Sequence, residues 1–217
     1  ALTTSLKRGG KEWWLIMNYS NVLENELSKI ENDKVTHSLL LHSCCAPCSS
    51  YVISYLIKYF DITILYYNPN IYPYEEYKKR KDEQIRLINE LEHSNKLTIM
   101  DCDYDNDKYE NVIKGLEKEK EGGIRCHKCY QLRLEKTASL AKENDFDYFA
   151  TTLTVSPYKN ATILNEIGSD LSSKYGVKWL YSDFKKKDGY KKSIELSKVH
   201  NLYRQDYCGC IYSKRSY

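Results

Sequence analysis

The sequence predicts an α/β fold in which helices cover a parallel sheet, and three observations carry that prediction. Short apolar runs of β-type residues alternate with longer stretches whose apolar positions recur at helical spacing. No internal repeat or low-complexity linker interrupts the alternation. The 217 residues are also enough to bury a sizeable core without disulfide support.

The first strand is expected over "HSLLLH", His37 to His42, and the first helix of the sheet over Ser49 to Phe60, where Val52, Tyr55, Leu56 and Tyr59 fall on one stripe. "DITILYY" (61–67) predicts a second strand. The segment "NPNIYPY" stops it, because Pro69 and Pro73 cannot continue a hydrogen-bonded ladder. A charged helix is expected over residues 74–93, with Ile85, Leu87, Ile88 and Leu91 on its inner side. "KLTIMDCDY" predicts the third strand. A helix near 106–120 should end at Gly122-Gly123, releasing the chain into "IRCHKCY", and a further helix should run from about Tyr130 to Glu143. "DYFATTLTVS", "NATILNEIGSDLSSKYG" and "VKWLYS" predict a fourth strand, a glycine-closed helix and a short fifth strand. The segment "ALTTSLKRGGKEWWLIM" does not match this pattern. We expect a natural start at Met17, with residues 1–16 as an upstream segment and residues 17–217 as one α/β catalytic domain.

Composition narrows the function. No run of about 18 uncharged apolar residues is present to span a membrane. The first residues lack a secretory pattern, so a cytoplasmic setting, where thiols stay reduced, is expected. The formal charge of +3 is small, but the basic residues are clustered: Lys78-Lys79-Arg80-Lys81, Lys185-Lys186-Lys187, Lys191-Lys192 and Lys214-Arg215, interleaved with many of the 21 tyrosines. Cations neutralise phosphates and aromatic rings stack on unpaired bases, a combination that suits RNA. Solvated faces also carry such charge runs.

In parallel sheets of this kind ligands bind outside the carboxyl ends of the strands. The turn after the first strand reads "HSCCAPC" and contains none of the glycines that admit a phosphate, so a nucleotide loop has no support there. It carries Cys44, Cys45 and Cys48 instead. Seven of the eight cysteines fall into three groups: that turn, Cys126 and Cys129 in "RCHKCY", and Cys208 and Cys210 in "YCGC". Independent core cysteines would not bunch beside Pro47, Gly122-Gly123 and Gly209, so metal or redox use is expected. The groups lie far apart in sequence and meet only once the sheet has formed, which fits an active-site cofactor better than a local zinc staple. Soft thiolates favour an iron–sulfur cluster or zinc over harder metals. Cys102, alone after an apolar strand, reads as a small buried hydrophobe. His127 reads as exposed, or as supporting a ligand rather than being one.

Together, "LLLHSCCAPCSSYV", "EGGIRCHKCYQLRLEKTA" and "QDYCGCIYS" resemble the signature of the cobalamin-independent epoxyqueuosine reductase family QueH, as do "YYNPNIYPYEEYKKR" and "FATTLTVSPYKN". The resemblance runs from about residue 18 to 213. It implies a three-layer fold of the adenine-nucleotide-hydrolase-like class without that class's nucleotide loop, and a C-terminal segment that completes the cysteine-rich site. It also implies two-electron reduction of the epoxide of epoxyqueuosine to the alkene of queuosine at the wobble base of tRNA, the last step of queuosine synthesis. By motif, Cys44, Cys45, Cys126 and Cys129 would hold a 4Fe-4S cluster. Cys208 and Cys210 would form a redox-active pair, or join Cys48 around a second, adjacent iron. Family members carry cysteine or aspartate at the position of Cys48, so its role stays open. The implied partners are a tRNA carrying epoxyqueuosine in its anticodon loop and an unidentified electron donor.

The implied chemistry gives so many thiols a use. Turning an epoxide into an alkene and water takes two electrons and two protons, while a 4Fe-4S cluster passes one electron at a time. A second electron store, or a metal gripping the epoxide oxygen, is therefore expected. A Cys208–Cys210 disulfide would close a strained ring and be easily reduced. Asp101, Asp103 and Tyr158 lie near predicted strand ends as candidate proton donors or as capping and solvated groups. Two other readings compete: an RNA-binding module whose thiols hold structural zinc, and a metal-free thiol–disulfide oxidoreductase using Cys126 and Cys129.

Overall fold

The computed structural model describes residues 17–214, so the expected upstream segment 1–16 and Arg215 lie outside the described residues. Helix α1 (Tyr19–Asp33) is capped by Asn18, whose side chain accepts from the amides of Ser20 and Asn21. It leads through Lys34, in the left-handed region at φ 55°, to strand β1 (His37–His42). There follow α2 (Ala46–Leu56), β2 (Phe60–Leu65), α3 (Tyr74–Glu90), β3 (Leu97–Met100), α4 (Asn106–Ile113), α5 (Ile124–Glu143), β4 (Tyr148–Thr151), α6 (Ala161–Tyr175), β5 (Lys178–Trp179) and α7 (Gly189–Val199).

The five strands form one parallel sheet in the order β3-β2-β1-β4-β5. β1 is central and buried on both faces, which is why it reads as a leucine run rather than an alternation. Its side chains divide between two cores. Leu39 and Leu41 pack with α1 (Leu23, Leu27, Ile30) and α2 (Val52, Ile53, Leu56), whereas Leu40 packs with α5 and α6 through Leu134, Ala138 and Leu164. Helices therefore lie on both faces, giving the expected three layers. α7 packs against α2. No described helix is long and apolar enough to cross a membrane.

Several boundaries differ from the sequence expectation, for local reasons. The fourth strand ends at Thr151 because that side chain accepts from the amide of Leu153 and caps a tight turn over Thr152–Val155. The helix expected to reach residue 120 stops at Ile113, just before Gly115 takes up φ +84°. α5 begins at Ile124, not Tyr130: Gly123 is its N-cap, so Cys126 and Cys129 lie in its opening turns rather than in a loop.

Candidate metal centre

The turn between β1 and α2 sits where the sheet's topology places ligands: β1 is the point at which consecutive strands are laid down to opposite sides. Cys45 holds the N-cap position of α2 in extended backbone, and Pro47 fits the first helical turn, where a missing amide costs nothing. No side chain caps this helix, so its free amides and positive dipole end face the turn. The sulfurs of Cys44, Cys45 and Cys48 all lie within 4.8 Å of one another, with Cys44 and Cys45 Sγ 3.8 Å apart.

These thiols are not equivalent. Hydrogen bonds from Cys45 and Cys48 hold the Cys44 thiol well below its usual pKa, helped by the charge of Arg133 and a hydrogen bond from Thr152 Oγ1 at 3.4 Å. The contact with Cys44 pushes Cys45 up to about 12, and those with Cys44 and Cys45 push Cys48 well above its ordinary value. Cys44 is therefore the thiolate of the trio. The turn is anchored as well as charged: the Cys44 amide donates to Thr152 Oγ1 at 3.2 Å, and Asn68 donates to Ser43 O at 2.8 Å.

The second group rides on α5. Gly122, at φ +86°, donates its amide to Cys126 Sγ at 3.2 Å. Cys129 lies three residues further on and Arg133 four beyond that, so the helix aligns all three on one side. Arg133 is 1% exposed and donates to Asn68 Oδ1 at 2.6 Å, His42 Nε2 at 3.3 Å and Cys129 Sγ at 3.8 Å. None of these partners is a carboxylate. The groups that favour its charge are Cys129, Cys44 and Cys208, and of these Cys44 is the one whose anionic form is favoured. Burial, reinforced by Arg133, pushes His42 down to about 3 and keeps it neutral. Burial, with smaller contributions from Cys208 and Cys210, pushes Cys129 up to about 12 against the opposing charge of Arg133.

The third group arrives on the segment after α7. Arg80, 2% exposed, is ion-paired with Glu76 at 2.6 Å, donates to Tyr207 O at 3.5 Å and stacks over the Tyr207 ring at 4.9 Å. Tyr72 donates its amide to Gly209 O at 2.9 Å. Gly209 has φ +99°, and a Cβ there would lie 2.7 Å from Ile71 Cγ1 and 3.0 Å from Arg80 Nη1, so only glycine fits. Cys208 Sγ then comes within 3.7 Å of Lys159 Nζ, and Cys210 Sγ lies 3.0 Å from the Tyr109 hydroxyl. Burial works against the charge on Lys159, but Cys208, Tyr130 and Cys44 outweigh it and hold the amine protonated.

A cavity of about 230 Å³ opens over this arrangement, walled by Cys44, Cys45, Cys48 and Cys208 together with Arg133 and Lys159. Cys126, Cys129 and Cys210 do not line it, though each lies near enough to Cys208, which does, to feel it electrostatically. Soft sulfur donors, a half-buried site, buried Arg133 and half-buried Lys159, neither with a carboxylate partner, fit an anionic thiolate-bound metal group. Cys102 lies apart, half-buried, with its S–H donating to Tyr66 O at 3.2 Å, as a structural thiol would. His127 is half-buried with its ring 6.3 Å from that of Tyr130. Asp101 is exposed and ion-paired with Lys81, Asp103 is exposed, and of the three candidate proton donors only Tyr158 reaches the cavity wall.

Sequence reasoning passed over Arg133, Lys159, Thr152 and His42. Arg133 alone left a signal, at four residues beyond Cys129, and that spacing becomes meaningful only once α5 is known to begin before the cysteines.

A model of the family described as "Epoxyqueuosine reductase QueH" matches residues 39–216. A protein of that name from Streptococcus pyogenes serotype M1 is 41% identical over 201 residues, covering 92% of this chain and 79% of its own length. One from Staphylococcus epidermidis is 42% identical over 201 residues (91% and 84%), and one from Thermotoga maritima 34% identical over 179 residues (81% and 90%). With the family's model spanning all three cysteine groups and relatives similar over most of both lengths, the chain belongs to the epoxyqueuosine reductase QueH family.

Proposed function

We propose that this chain reduces epoxyqueuosine to queuosine at the wobble position of tRNA, with residues 17–217 acting as one catalytic domain in the cytoplasm. The observation that carries the reading is the meeting of the close Cys44, Cys45 and Cys48 trio with Cys208, from the far end of the sequence, in the wall of one cavity. The names of the relatives supply the substrate.

Cys44, Cys45, Cys126 and Cys129 would hold a 4Fe-4S cluster, which supplies single-electron transfer. Reduction of the epoxide consumes two electrons and two protons and yields the alkene and water. Cys208 and Cys210 would then serve as the second electron store, passing between dithiol and disulfide, or would join Cys48 as ligands of a second iron. Electrons enter from a separate reductant. This chain's own groups do the rest. Arg133 and Lys159 hold two positive charges beside the sulfurs, and that of Arg133 favours the anionic state of Cys44. Thr152 fixes the orientation of Cys44 by hydrogen bonds in both directions. The wobble base lies in a single-stranded loop, where it can be splayed out toward the cavity without opening a duplex.

The test is anaerobic reconstitution with iron and sulfide, followed by mass analysis of nucleosides from epoxyqueuosine-containing tRNA incubated with protein and reductant. Loss of the epoxide nucleoside and gain of queuosine are expected. An unchanged epoxide in the presence of a fully loaded cluster sinks the function, and a colourless protein that takes up only zinc sinks the cofactor.

A further inference from the structure

Tyr158 is the most exposed aromatic residue among those described, at 71%, and it lies in the wall of the cysteine cavity, which puts its ring at the mouth. Its loop is ordered by local bonds rather than by the ring. The Tyr158 amide donates to Ser156 Oγ at 3.3 Å, the Lys159 amide to Ser156 O at 3.3 Å, and Asn160 caps α6. The two other tyrosines of the cavity already have partners: Tyr207 lies under Arg80, and Tyr190 packs on the core. Among the described residues the Tyr158 ring pairs with no other aromatic or cationic group. An exposed ring costs apolar hydration, and one held in place by its own loop loses little entropy on binding a flat partner.

The two basic runs differ in how many of their charges are already paired. In the run Lys78–Lys81, Lys78 pairs with Asp82, Arg80 with Glu76 and Lys81 with Asp101, while Lys79 lies over the Tyr203 ring. In the second run Lys185 pairs with Asp183, Lys187 with Glu24, and Lys192 lies over Tyr51. Lys186 and Lys191 are exposed and have no carboxylate partner among the described residues. In sequence Lys186 lies four residues before and Lys191 directly after Tyr190, which takes part in the cavity wall, as does Arg204.

We infer that Tyr158 is the stacking platform for the unpaired nucleobase adjoining the one that enters the cavity, and that Lys186 and Lys191 take the phosphates of the same loop. The inference rests on the tRNA reading above and deepens it by naming the contacts that select a single-stranded loop. An aromatic face accepts any base and gives affinity without sequence preference, while the phosphate cations add a salt-dependent share. Tyr158 binds substrate in this account and takes no part in the chemistry.

The experiment measures binding of an unmodified 17-nucleotide-scale anticodon stem-loop RNA by fluorescence anisotropy, alongside turnover of epoxyqueuosine-tRNA, for the reconstituted wild type and variants. Tyr158→Ala should weaken binding and raise KM by about tenfold, in the range expected for one lost base–aromatic stack, with kcat changed far less. Tyr158→Phe should keep wild-type binding. Replacing Lys186 and Lys191 together by Ala should lower the slope of log affinity against log salt by about 1.4, two single-strand phosphate contacts. Tyr158→Ala binding as tightly as wild type, or Tyr158→Phe binding as weakly as Tyr158→Ala, overturns the stacking role, because a hydroxyl contact would then explain the residue. An unchanged salt slope overturns the phosphate assignment. A wild type that binds the loop but leaves the epoxide intact fails the reaction instead, so the two failures are told apart.

Discussion

The two walls of the cysteine cavity are built on opposite principles. The turn carrying Cys44, Cys45 and Cys48 joins the central strand to a buried helix, and the sheet on both sides fixes it. The segment carrying Cys208 and Cys210 has no regular secondary structure before residue 211, and a few specific contacts pin it: the Tyr72 amide to Gly209 O, Arg80 to Tyr207 O, and Tyr109 to Cys210. A wall that belongs to the core keeps its sulfurs in place as a consequence of folding. A wall held by a strap can shift its sulfurs without disturbing the fold, which suits groups that change oxidation state or ligation during turnover.

The largest expected effect separates the walls directly. Cys45→Ser or Cys129→Ala should lose the brown colour and most of the roughly four or more irons per chain expected after reconstitution. Cys210→Ser should keep most of the iron and lose turnover. Iron and sulfide analysis beside the nucleoside assay reads both, and equal iron loss from both kinds of variant breaks the distinction.

Gly209→Ala comes next. The new Cβ would meet Ile71 and Arg80, and the backbone at φ +99° disfavours any side chain, so the strap must move. Strain of this kind costs about 1–3 kcal/mol, but displacement of the segment relieves part of it. Turnover should fall at least about tenfold, as a displacement of around an ångström at a reacting centre allows. The melting temperature of the sheet should change little. A large loss of melting temperature would show that the strap belongs to the core after all.

How much of this was legible in the sequence divides along the same line. β1 appears at its predicted bounds because a strand buried on both faces has a signal of its own, a leucine run ending at a turn. The start of α5 was not legible, since "RCHKCY" carries no apolar stripe and Gly122-Gly123 reads as a break, although Gly123 serves as its N-cap. Arg133 and Lys159 could not be assigned because their significance lies in burial beside sulfurs from other elements. The strap was legible only as a cysteine pair. What holds it, Arg80 from α3 and Tyr109 from α4, is more than a hundred residues away or close to it in sequence. Even so, Cys44, Cys45 and Cys48 do lie together, and Cys208 shares their cavity, while Cys126 and Cys129 lie outside its wall.

Acid should distinguish the walls more gently. His42 closes β1 and is fully buried, and burial together with Arg133 lowers its pKa to about 3, below the unfolded value of about 6.5. Below pH 6.5 the unfolded chain therefore binds the proton that the folded chain refuses, and stability falls as pH falls, continuing until the folded pKa is reached. Between pH 7 and pH 5 this one group should cost about 2 kcal/mol. Urea unfolding at the two pH values measures it, and His42→Gln should flatten the dependence while leaving that of Gly209→Ala unchanged.

The smallest effect concerns the charges outside both walls. Lys78 and Lys81 belong to a run that looks from sequence like a phosphate grip, yet Lys78 is ion-paired with Asp82 and Lys81 with Asp101. Exposed pairs of this kind contribute about 0–1 kcal/mol to stability, and a paired lysine gains less from a phosphate because it must give up its carboxylate. Lys78→Ala and Lys81→Ala should therefore leave stability within about 0.5 kcal/mol and barely change the salt slope of RNA binding. If either variant lowers that slope as much as the Lys186 and Lys191 pair does, the RNA crosses the strap side of the cavity, and the strap then answers to the substrate as well as to the metal.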